Sequence, residues 1–225
     1  MSRVLNFNKN FLYPEQPASK AVPEYASHRQ KGVKNSIMNT LKTLYVTERK
    51  DWRKWLENHF DKEKEIWLVF PKKASGKKRI EYNDAVEEAL CFGWIDSTFK
   101  SIDEDNNAQR FSPRNPKSTY SQANKERIKW LLSQEMIHPS MLEKAKEVAS
   151  EKFIFPEDII ESIKKDKAIW KNYKQFSDSY KRIRIAYIEA ARNRPEEFQK
   201  RLSNFIDKTQ KGKIIKGHGG IEKYY

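Results

Sequence analysis

The sequence predicts an α+β domain: a small, mainly antiparallel sheet with an inserted helix, packed against a helical C-terminal region. Three observations predict it. The runs IWLVF (66–70) and WIDSTFKSI (94–102) are short and rich in β-branched and aromatic residues, as strands are. Between them DAVEEALCF spaces its apolar residues helically and stops at Gly93. From Ser121 onward one helical pattern follows another. Strands grouped together and helices grouped after them are the order of an α+β plan, not of alternating βα units.

The elements follow in chain order. Residues 1–44 carry Pro14, Pro17 and Pro23 among Ser, Asn and Lys, with no sustained period. They read as an irregular extension that Phe7, Phe11, Tyr13 and Tyr25 could anchor. Thr47 then reads as the N-cap of TERKDWRKWLENHF, with Trp52, Trp55, Leu56 and Phe60 on one face. IWLVF is a buried strand. KKASGKKR (72–79) is a basic turn with Gly76 at its tip, and RIEY (79–82) reads as a second short strand. Asn83 or Asp84 can cap the inserted helix, and Gly93 suits its left-handed stop. WIDSTFKSI, the turn DEDNN and the returning AQRFS (108–112) form a hairpin. Ser121, Pro139, Pro156, Asp166, Ser177 and Pro195 each open a helix. GKIIKGHGGIEKYY, with four glycines and no period, reads as the flexible tail of 209–225.

Totals bound the function classes. The chain has 225 residues, 34% of them charged, and 28 aromatic residues that can fill a core. No apolar run approaches the roughly 18 residues of a membrane span. No secretory signal opens the chain, and the single cysteine, Cys91, forms no internal disulfide. A cytoplasmic protein is expected. The net charge is +14, which suggests a polyanion as partner. That excess sits at the ends: residues 46–150 hold 20 Lys/Arg against 18 Asp/Glu, whereas 151–225 hold 18 against 11.

The strings KKASGK, YNDAVEEALCFGWIDS and RFSPRNPKSTYSQANKERI, and later FSDSYKRIRIAYIEAARNRPEEFQKRLSNFI, occur in order. Together they resemble the YdeI/OmpD-associated, bacteriocin-protection-like family. The resemblance spans about residues 45–208, and Tyr120 stands where the family pattern has a tryptophan. It implies a cytoplasmic α+β domain with a stress or bacteriocin-protection role. It brings no established reaction, cofactor or catalytic residue.

The candidate site is a ligand-binding one. If the hairpin pairs 94–102 with 108–113, Asp96 and Arg110 become near neighbours. Arg114, Lys117, Ser118 and Ser121 follow just before a helix start, where backbone N–H groups and hydroxyls meet anions. Trp94 adds a stacking face. The set Trp94, Asp96, Arg110, Arg114, Lys117, Ser118 and Ser121 therefore reads as a pocket for a small anionic ligand. The plain structural alternative is an Asp96–Arg110 or Asp96–Arg114 ion pair, with Ser121 as a cap and Trp94 as core. A protein partner is the other expected occupant. Nucleic acid is an alternative, from the charged ends and the arginine-rich SYKRIRIAYIEAARNR. An enzyme using Asp96 with Arg110 and Arg114 is another. Cys91 reads as a small buried residue. His28, His59, His138 and His218 lack metal-ligand spacing, so no metal or cofactor is expected. KKASGKKR lacks the P-loop pattern.

Overall fold

Alternation along IWLVFP builds the sheet. Ile66, Leu68 and Phe70 point to one face, and Trp67 and Val69 to the other. The structure, a computed structural model, describes residues 41–217 and 220–225. Strand β2 (Ile66–Pro71) lies between β1 (Thr43–Leu44), which runs parallel to it, and β4 (Asn106–Pro113), which runs antiparallel. Strand β3 (Trp94–Ser101) completes the order β1-β2-β4-β3. Ile66 stands opposite Phe111, and Trp94 opposite Pro113; the register shifts between Asp96 and Phe99.

Helices cover the face that carries Ile66, Leu68, Phe70 and Phe111. Helix α1 (Arg49–His59) lays Trp52 and Leu56 onto it, and α2 (Tyr82–Cys91) adds Ala85, Val86, Ala89 and Leu90. Trp52 is fully buried, and its Nε1 donates to Ala85 O at 3.0 Å, so even the indole polar atom is satisfied. Helices α3 (Gln122–Ser133) and α4 (Leu142–Ser150) close the core with Ile128, Leu131, Ala145 and Val148.

A second core belongs to α5 (Glu157–Lys164), α6 (Lys167–Gln175), α7 (Asp178–Glu189) and α8 (Pro195–Gln210). Ile159, Ile163, Tyr180, Ile185, Leu202 and Phe205 fill it. Ser121, Asp166 and Ser177 cap α3, α6 and α7, each side chain accepting from backbone N–H groups of the first turn. Helices α3 and α7 join the two cores. Arg182 donates twice, at 2.6 and 2.9 Å, to the carboxylate of Glu126. The α+β expectation holds. Among the described residues there are eight α-helices and one four-stranded sheet, and no helix is long and apolar enough to cross a membrane.

Several local expectations fail for physical reasons. Glu48, not Thr47, occupies the N-cap of α1. RIEY is not a strand: Ile80 is buried among core residues, and its N–H bonds Val46 O at 3.4 Å outside the sheet ladder. The N-cap of α2 is Glu81, with no side-chain bond, so neither Asn83 nor Asp84 caps it. Thr43–Leu44, at the end of the supposed extension, form β1. The tail of 209–225 is not loose throughout. Helix α8 runs to Gln210, and Ile221–Tyr224 form a 3-10 turn with Ile221 and Tyr224 buried. Two anchors in a glycine-rich stretch make no period, so hydrophobic spacing does not reveal them. Residues 1–40 of the N-terminal extension, with its four aromatic anchors and His28, lie outside the described residues, as does His218.

Candidate functional site

Gly93 makes the site possible. Helix α2 ends at Cys91, and Gly93 at φ +73° turns the chain so that β3 starts at Trp94. An L side chain rarely adopts that backbone. Three segments are tied to this corner. Arg114 N donates to Gly93 O at 2.9 Å, and His138 N donates to Cys91 O at 3.1 Å. Trp94, only 1% exposed, donates from Nε1 to Phe60 O at 3.0 Å. The corner opens on a pocket of about 370 Å³, within the size range of small-molecule sites. Phe60, Phe92, Trp94, Tyr120 and Met141 line it, with Pro113 and Pro116 beside them, and Arg114 and Lys144 are its cations.

The two cations differ. Lys144 is spent on Glu147, whose carboxylate oxygens both lie 2.9 Å from Nζ; that bond raises the lysine's pKa. Arg114 lies over the Tyr120 ring at 3.8 Å and donates to the carbonyls of Ser118 and Thr119. No carboxylate among the described residues pairs with it. Its Nε is buried without a hydrogen-bond partner. An unneutralised guanidinium with a spare donor, set in an aromatic wall, is equipped to receive one anionic group.

The sequence-derived site residues divide. Trp94 and Arg114 line the pocket, but Asp96, Arg110, Lys117, Ser118 and Ser121 do not. Asp96 stands opposite Phe111, on the helix-covered face, and accepts from Tyr82 Oη at 2.6 Å. Arg110 stands opposite Trp67, on the other face, and pairs with Glu65 at 2.7 Å. The expected Asp96–Arg110 proximity is therefore wrong: adjacent positions on β4 alternate faces, and the sheet separates the two side chains. Nor is there an Asp96–Arg114 pair. Ser118 Oγ donates to Asn115 O at 2.8 Å within its own turn. Lys117 is exposed, and its N–H closes the same turn onto Asn115 Oδ1 at 2.9 Å. Ser121 is the cap of α3.

Other candidates prove structural. Cys91 is fully buried, and burial pushes its thiol up to about 12, so it is a poor nucleophile. Of the arginines of SYKRIRIAYIEAARNR, Arg182 is committed to Glu126 and Arg184 to Ile215 O, while Arg192 pairs with Asp158 and Glu189 at the surface. Among the described residues no group of three His, Cys, Asp or Glu side chains could hold a metal. The buried pair Glu87 and Glu88 went unread in the sequence. Glu88 is bonded by Arg49 at 2.5 Å and Arg53 at 2.8 Å, and Glu87 by Arg49 at 2.6 Å. Phe60, Tyr120, Met141 and Lys144 were also missed as site residues. Tyr120 was the one with a signal, an aromatic residue directly before a helix cap and six residues after Arg114.

Comparison with known families divides the chain in the same place as its two cores. Residues 44–144 match a domain of unknown function, DUF8412. Residues 152–212 match the model described as bacteriocin-protection, YdeI or OmpD-associated. The strings at 72–121 that carry much of the resemblance thus fall in the first segment, and FSDSYKRIRIAYIEAARNRPEEFQKRLSNFI in the second. No curated protein and no solved structure matches the chain significantly. The helical region that contains α5 to α8 is thus similar to the bacteriocin-protection, YdeI or OmpD-associated family over residues 152–212.

Proposed function

We propose that the chain is a binding protein for a small anionic ligand with a flat apolar body, held in the pocket between Trp94, Tyr120 and Arg114. The observation that carries this reading is Arg114, which has no carboxylate partner among the described residues and a buried Nε without a partner, in a wall that holds four aromatic rings. The aromatic rings would take the apolar body by area and ring contact, and the guanidinium would fix one carboxylate or phosphate. Such holding of a metabolite in the cytoplasm is how we read the protective role that the family description names.

The test is calorimetric titration of the full chain with aromatic carboxylates and aryl phosphates. A ligand of this class should bind. Arg114→Ala should weaken it about tenfold or more, the usual scale for one charge-assisted pair. Arg110→Ala, on the other face of the sheet, should leave affinity unchanged. Equal affinity in wild type and Arg114→Ala would overturn the reading.

A further inference from the structure

Glu87 is the deepest carboxylate of the described chain, with 0% exposure. Its Oε2 accepts from Arg49 at 2.6 Å and from Lys223 Nζ at 3.1 Å. Oε1 faces a groove between α2, α3 and α7, where it accepts from Asn83 Nδ2 at 2.7 Å. The chain's own C-terminal residues fill that groove. Lys223 Nζ lies 2.8 Å from Glu87 Oε1 and 3.4 Å from the centre of the Trp130 ring. Tyr224 Oη also donates to Glu87 Oε1, and its ring meets Trp130 edge-on at 6.1 Å. Ile221 packs beside Ile183 of α7. Gly220, at φ +72°, lets the chain approach so closely that a Cβ would lie 2.9 Å from Asn83 Cβ.

An ammonium between an aromatic face and a buried carboxylate, followed by an aromatic hydroxyl on the same oxygen, is a recognition geometry. Two facts set it apart from ordinary core. About a third of the Lys223 side chain remains exposed, so the groove opens to solvent. Glu87 keeps Arg49 and Asn83 when Lys223 and Tyr224 are removed, so an empty groove leaves no unpaired buried charge. Ile221, Lys223 and Tyr224 also lie beyond both matched segments, yet they fill a groove built from both.

We propose that the groove between α2, α3 and α7 is a recognition site for a lysine followed by an aromatic residue, occupied here in cis by Lys223 and Tyr224. A tethered ligand competes at millimolar effective concentration, so the site is masked in the intact chain.

The test uses a chain ending at Gly219 and a fluorescent peptide carrying Ile-Glu-Lys-Tyr-Tyr, followed by anisotropy. The shortened chain should keep its circular dichroism spectrum and bind the peptide saturably. Replacing the peptide lysine by methionine should weaken binding about tenfold or more. Glu87→Gln in the shortened chain should do the same. The intact chain should bind the peptide at least about tenfold more weakly than the shortened one. In the intact chain, the amides of 221–225 should exchange with solvent much faster than those of α7. A shortened chain that folds but ignores the peptide, or binds both peptides equally, overturns the proposal. So does a shortened chain that fails to fold, or exchange of 221–225 only at the rate of the α7 core, because the segment is then part of the fold and not an occupant.

Discussion

Asp96 accepts a 2.6 Å hydrogen bond from Tyr82 on the helix-covered face of the sheet, while Arg110 pairs with Glu65 at 2.7 Å on the opposite face. Their positions are close along the hairpin, since Asp96 stands opposite Phe111, the residue next to Arg110. One step along a strand reverses the side chain, and that step separates a carboxylate from the guanidinium that sequence distance would pair with it.

Additivity follows for these two residues. Asp96→Ala and Arg110→Ala share no partner, so their effects on urea unfolding should add to within about 0.5 kcal/mol. Arg110→Ala alone should cost at most about 1 kcal/mol, because the Glu65 pair is partly exposed. A coupling energy above about 1 kcal/mol in the double-mutant cycle would contradict the register.

Glu88 should behave differently. It is 1% exposed and bonded by Arg49 Nε at 2.5 Å and Arg53 NH1 at 2.8 Å, linking α2 to α1. Glu88→Ala removes the anion, while Arg49 keeps Glu87 and both arginines stay partly exposed. The expected loss is about 1–3 kcal/mol, the scale for leaving buried hydrogen-bonding groups without their partner. Glu63→Ala, at an exposed pair with Lys42, should cost less than about 1 kcal/mol in the same urea titrations.

Acid should weaken the fold through Glu87 and Glu126. Burial by itself would raise both carboxyls. Hydrogen bonds from Lys223, Tyr224 and Arg49 to Glu87, and from Arg182 and Gln122 to Glu126, outweigh it and hold both below the usual carboxylate range. A depressed carboxylate stabilises the folded state fully above its unfolded value, near 4.5, and loses that contribution as pH falls through the lower folded value. The urea midpoint should therefore fall steeply below about pH 4.5. Glu126→Gln should flatten that slope, and an unchanged slope would show that Glu126 carries no linkage.

Much of the fold was legible because its signals are local. Ser121, Asp166 and Ser177 cap helices through their own first turns, and IWLVF alternates onto two faces whatever lies around it. The site was legible only at Trp94 and Arg114, which flank the Gly93 corner. Phe60, Met141 and Lys144 reach the pocket from α1, the turn before α4, and α4, over long sequence separations that no spacing rule reports. RIEY failed because Ile80 is buried among core residues and its N–H bonds Val46 O, outside the sheet ladder. The C-terminal turn failed because its docking partners, Asn83, Glu87 and Trp130, lie some 90–140 residues away.

Gly93 and Gly76 separate backbone strain from pocket geometry. Both have positive φ, +73° and +65°, so alanine at either should cost about 1–2 kcal/mol from the left-handed conformation alone. A Cβ at Gly76 meets nothing within 4 Å, whereas at Gly93 it would lie 2.8 Å from Met141 Sδ. The methionine end is flexible and should swing aside, but Met141 is part of the pocket wall. Both variants should therefore lose similar stability in thermal melts. Only Gly93→Ala should also alter the near-ultraviolet circular dichroism around Trp94 and weaken whichever anionic aromatic ligand the titrations identify. If Gly76→Ala disturbed binding equally, the effect would come from global strain, and the corner at Gly93 would lose its claim to shape the site.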